Sequence, residues 1–138
     1  MIPVSKKLEI SLLALRLSVA AVMLPWALDK LIRPEHSAKV FEGFYHLSGF
    51  GETVFLILGL AQTLLVLMFL AGLARTWTYG AVLLLHAIST LSSWRQYLAP
   101  YEGVNLLFFA AWPMLAACLA LFLLRDQDRL LTLGSGKR

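Results

Sequence analysis

Residues 53–73 read TVFLILGLAQTLLVLMFLAGL. These 21 residues carry no charge, and a helix needs ~20 apolar residues to cross a bilayer core. Gln62 and Thr63 interrupt the run near its middle. Such a stretch in so short a chain points to an integral membrane protein. Its function is then to be sought inside a small helical bundle or in the partners of that bundle.

The composition points the same way. Of 138 residues, 59% are hydrophobic and 14% charged, and the mean hydropathy is +0.76. Soluble domains average about 25% charged residues. The length suits one domain, 1–138, in which four spans of ~20–24 residues use nearly all of the chain. The expected fold class is all-α, an integral membrane four-helix bundle.

The formal charge is +4. Its basic residues flank apolar segments instead of forming one stripe, so no nucleic-acid partner is expected and they read as topology signals. Cys118 is the only cysteine. It has no intrachain disulfide partner and reads as a small apolar packing residue. Ser18-Val19-Ala20 after Lys6 and Lys7 loosely resembles a cleavage site. Arg16 interrupts the apolar region, however, and that region continues to Leu31, so the segment is kept as a helix.

The expected spans are 8–31, 53–73, 77–94 and 104–124. Pro25 predicts a kink or local loosening in the first. Arg33-Pro34 closes it, because a residue before proline is pushed out of the α region. The exterior segment 34–51 has Val40, Phe41, Phe44, Tyr45 and Leu47 at helical spacing. It predicts a short amphipathic interfacial helix over 34–47, lying on the membrane surface between spans 1 and 2. The second and third spans make a tight antiparallel hairpin at Gly72–Arg75. Trp94, Tyr97 and Tyr101 suit an aromatic belt. The tail 134–138 is expected to fray.

Seven basic residues fall on one side (Lys6, Lys7, Arg75, Arg125, Arg129, Lys137, Arg138) and four on the other (Lys30, Arg33, Lys39, Arg95). The positive-inside rule puts both termini in the cytoplasm and 34–51 outside. The expected location is a bacterial cytoplasmic (inner) membrane, multi-pass, N-in/C-in.

Polar residues inside the spans are the candidate site. Counted from the cytoplasmic ends at ~1.5 Å per residue, Arg16 lies ~12 Å in, His86 ~15 Å and Gln62 ~17 Å. Three helices thus place polar side chains in one layer. A charge near the bilayer centre costs at least ~2.5–3.5 kcal/mol, so Arg16 should face the bundle or snorkel. The layer suits a quinone, a substrate or a proton path through His86. It equally suits a structural hydrogen-bond network, worth ~0.6 kcal/mol per contact.

Two stripes extend it outwards: His86, Ser89, Thr90 and Ser93 on the third span, and Arg16, Ala20, Met23, Ala27 and Lys30 on the first. If these faces meet, a polar lane runs to the exterior, with Asp29 or Glu52 as a carboxylate at its mouth. Glu42 and His46 have i, i+4 metal-ligand spacing and His36 lies nearby. One such pair arises often by chance, and no metal is assigned.

Several stretches together resemble the DoxX-like membrane proteins. In RLSVAAVMLPWALDKLIRPEHSAKVFEGF (16–44), Arg16, Lys30-Leu31 and Pro34 match that family's first helix and its exit. Glu52, Gly59 and Gly72-Leu73-Ala74-Arg75 match its second helix and hairpin. FLLRDQDRLLTL (122–133) is similar to its usual close. The family's first-helix glycines are absent, with Ala20, Ala21 and Ala27 in their region, and HAISTLSSWRQY (86–97) has no placed counterpart.

The resemblance implies a four-helix subunit associated with redox chemistry. On that basis the expected function is a small membrane subunit of a quinone-linked redox system, with a larger redox complex or a homo-oligomer as partner. Arg16, Gln62 and His86 would face the quinone, and Trp26 and Trp112 would supply apolar walls. The alternatives are a purely structural or assembly subunit and a small carrier or channel.

Overall fold

A computed structural model of the chain describes residues 1–134. The fraying expected of the tail lies, from 135 on, outside the described residues. The protein is all-helical, 78% helix, with no strand among the described residues.

Helix α1 spans Val4–Ile32 and continues through Pro25. It stops at Arg33, whose φ of −132° before Pro34 lies outside the α region, as the steric clash with a following proline requires. Pro34 then opens α2, Pro34–Tyr45, at a position where its missing N–H costs nothing. Helix α3 covers Glu52–Leu70 and α4 covers Arg75–Ser92. The hairpin between them turns through Gly72 at φ 70° and Ala74 at φ 45°.

The chain departs from the expected spans beyond this hairpin. Ser93 breaks the third one, and a five-residue helix α5, Trp94–Leu98, follows. The fourth opens as a 3₁₀ turn, Asn105–Ala110, before α6, Ala111–Leu123. Pro113 accounts for this late start. It has no N–H for the Phe109 carbonyl, and its ring crowds that carbonyl, so the preceding turn cannot close as regular α-helix.

Three helical stretches are long and apolar enough to cross a membrane: Val4–Ile32, Glu52–Leu70 and Asn105–Leu123. Helix α4 is not among them. Its 18 residues include Thr76, Thr78, His86, Ser89, Thr90 and Ser92.

The four long helices touch in a ring: α1 on α3, α3 on α4, α4 on α6, and α6 back on α1. Their shared core holds Leu12, Val19 and Met23 of α1, Val66 and Phe69 of α3, Tyr79 and Val82 of α4, and Cys118 and Leu121 of α6. Phe69 meets Tyr79 edge-on at 4.9 Å. Gly59 permits a close approach of α3 to α1, since a Cβ there would lie 2.8 Å from the Lys30 Cβ. Helix α2 seats its apolar face on one end of the ring, with Phe41 5.1 Å from Phe55 and Phe44 5.8 Å from Phe108. The expected amphipathic helix is present, and packing against neighbouring helices uses its aromatic stripe.

Candidate functional site

Polar side chains gather at three levels. At the end of the ring opposite α2, Arg16 of α1 is 1% exposed and Asp128 0%. The Arg16 Nη1 lies 3.1 Å from Asp128 Oδ1 and 3.5 Å from the Tyr79 hydroxyl oxygen. Its Nη2 donates to the carbonyls of Leu130 at 2.6 Å and Leu131 at 3.2 Å. The Tyr79 hydroxyl donates to Asp128 Oδ2 at 2.6 Å. Oδ1 sits at ion-pair distance without hydrogen-bond alignment, and Arg16 Nε has no partner among the described residues. Charge attraction, with the carbonyls of 130 and 131, therefore offsets the desolvation of both ions.

This cluster ties down a strap, residues 125–134. Arg75 donates to the Gly72 carbonyl from Nε at 3.1 Å, to the Arg125 carbonyl from Nη1 at 3.1 Å, and to Thr132 Oγ1 and the Gly134 carbonyl from Nη2 at 3.2 and 2.9 Å. The Leu133 N–H donates to the Ala71 carbonyl at 2.8 Å. The Thr132 side chain fills the notch over Gly72, where a Cβ would lie 2.6 Å from its Cγ2.

At mid-height, His86 Nε2 lies 2.9 Å from the Ala111 carbonyl and 3.2 Å from Thr90 Oγ1. Thr90 donates to the His86 carbonyl at 2.7 Å, and Tyr97 donates to the Thr90 carbonyl at 2.8 Å. Thr90 and Ser93 are buried, whereas Ser89 is exposed. Gln62 is half-buried and makes no hydrogen bond among the described residues.

At the α2 end, Asp29 Oδ1 accepts from Arg33 Nε at 2.7 Å and lies 2.6 Å from Nη2 as an ion pair. Its Oδ2 lies 2.6 Å from His36 Nδ1 and 3.5 Å from Ser37 Oγ. The His36 ring stacks 6.3 Å from Trp26 at 20°. A shallow recess of about 150 Å³ is lined by Pro25, Trp26, Asp29, Arg33 and His36. Glu52 is exposed at the start of α3.

The single layer expected of Arg16, Gln62 and His86 thus divides. Arg16 is level with Tyr79, two turns or ~10 Å of helix away from His86. The depth count failed because it started all the helices at one level, whereas the α3–α4 hairpin lies beside Arg16 and the first turns of α1 extend past it. The polar stripe of α4 turns to α6 through His86 and Ala111, because α1 stands diagonally across the ring. Arg16 and His86 bond to separate protein partners at different levels, so Arg16, Gln62 and His86 do not together fit one quinone ring.

Reading the sequence missed Tyr79 and Asp128. A signal for Asp128 existed: a buried arginine demands an anion, and Asp128 follows the last span on the same side as the start of α1. No family model, no curated protein and no solved structure matches the chain.

Proposed function

We propose that the chain is a four-span integral membrane protein, an accessory subunit serving a larger enzyme of a quinone-linked redox system in a bacterial cytoplasmic membrane. The observation that carries the membrane reading is the outward surface. Only 33%, 22% and 11% of the apolar windows in the three long stretches are buried within the chain. Leu60, Leu64, Leu107 and Leu123 are all strongly exposed, from 60% at Leu64 to 73% at Leu107. Contiguous apolar surface on this scale is rare on water-soluble monomers, and lipid is the solvent that suits it.

Helix α4 is compatible with a fourth span because His86 and Thr90 find their partners inside the ring, which is the condition for polar groups in lipid. The redox assignment comes from the DoxX-like resemblance. The accessory role follows from how the inner polar groups are used, since Arg16, Tyr79, Asp128 and Arg75 hold the chain to itself. Mild extraction from native membranes, followed by mass spectrometry of co-purifying proteins and lipids, tests the reading. A stoichiometric redox enzyme is expected, and isolation of the chain with phospholipid alone would overturn it.

A purely structural subunit is the second reading, favoured by the internal pairing of both Arg16 and His86. It differs in one outcome: the partner's turnover would be independent of this chain once assembly is complete.

A further inference from the structure

The Asp29–His36 couple has a property that the two deeper clusters lack. A carboxylate oxygen 2.6 Å from His36 Nδ1 holds the ring proton on that nitrogen, so the neutral imidazole carries its lone pair on Nε2. Nε2 makes no hydrogen bond among the described residues, and the side chain is 40% exposed. Arg33 clamps the carboxylate from the other side at 2.6 Å. The result is an oriented proton acceptor that faces outward.

Its surroundings select the kind of donor. Trp26 is 50% exposed and lies nearly parallel to the imidazole, which offers an aromatic shelf to a flat ring. Asp29 and Arg33 cancel among the lining charges, so the recess favours a neutral ligand over a phosphate. At about 150 Å³ it is half the ~300 Å³ at which pockets begin to enclose whole small ligands. It accommodates one ring and leaves the remainder of the ligand outside. The recess opens at the end of the apolar α1, where a tail would pass into lipid.

We propose that this recess binds the ring of a lipid-soluble phenol or hydroquinone, whose hydroxyl donates to His36 Nε2 while the ring rests on Trp26. The inference rests on the membrane reading above and moves the ligand from the bundle interior to its rim. The chain supplies binding and a hydrogen-bond acceptor, and no electron transfer is assigned to it.

The test uses the full chain in phosphatidylcholine nanodiscs, titrated anaerobically with a decyl-substituted benzohydroquinone and with its dimethyl ether. Tryptophan quenching is the readout. Saturable binding of the hydroquinone is expected, about tenfold tighter than the ether, the worth of one well-made hydrogen bond. His36→Ala should abolish that preference, Trp26→Leu should remove the saturable quenching by either ligand, and His86→Ala should change neither. Equal affinity of the two ligands for the unaltered chain would overturn the proposal, as would quenching that follows lipid partitioning without saturating. A co-purifying redox enzyme without hydroquinone binding would remove this site and leave the accessory-subunit reading standing. Selective binding by a chain that isolates alone would do the reverse.

Discussion

Arg16 shows how a single residue can be half legible. Its position in an apolar run demanded a buried partner, and the sequence supplied that demand without the answer. Asp128 stands in Arg125-Asp126-Gln127-Asp128-Arg129, which looks like a solvated stop signal, yet it is 0% exposed. The pairing is long-range, and no local pattern encodes it. Asp128→Asn leaves a buried guanidinium without its anion, and breaking such a pair costs about 3–5 kcal/mol. The expected outcome is a marked fall in the thermal unfolding midpoint in detergent. The double variant Arg16→Met, Asp128→Leu should be much less harmed, because it removes both desolvated charges together. Tyr79→Phe removes only the hydroxyl donor to Asp128 and should cost about 1–3 kcal/mol in the same assay.

At the scale of elements, boundaries set by proline and glycine were readable, and facing was not. Arg33-Pro34 ended α1 where steric reasoning put it, and the Gly72 turn joined α3 to α4. Pro113 lies within the expected span 104–124, which made no allowance for its effect on the preceding turn. Of the α4 stripe His86, Ser89, Thr90 and Ser93, Ser89 is exposed and His86 meets α6 instead of the α1 face suggested for it, since helical spacing fixes a face but not what it meets. The strap of 125–134 escaped notice because its hold comes from Arg75, which read as a topology charge at the hairpin. Gly72→Ala tests that hold. Its φ of 70° disfavours a side chain, and the new Cβ would strike Thr132. The strap should lift, and limited trypsinolysis at Arg129 should speed up several-fold while the ring helices stay protected. Unchanged cleavage would mean that the notch does not seat the strap. Arg75→Gln should act in the same direction, through the loss of its bonds to Thr132 and Gly134.

For the whole molecule, the number of crossings decides the side on which the strap lies. Helices α1, α3 and the stretch ending in α6 qualify as spans by length and composition, while α4 is too polar to qualify by itself. If α4 crosses, four spans put Glu35 and Asp126 on opposite faces, with the strap among the cytoplasmic charges. If α4 does not cross, three spans put those two residues on the same face and reverse the positive-inside assignment for Arg125 and Arg129. Composition cannot separate these cases. The ring geometry favours four, because α4 lies between α3 and α6 and shares their core. A three-span chain would have to leave that ring. Single cysteines at Glu35 and at Asp126, each in a Cys118→Ser background, read the result in spheroplasts treated with a membrane-impermeant maleimide. The expected pattern is labelling at position 35 only, with position 126 becoming reactive after the membrane is permeabilised. Labelling of both positions before permeabilisation would reduce the chain to three crossings, and α4 would then have to lie along the bilayer surface.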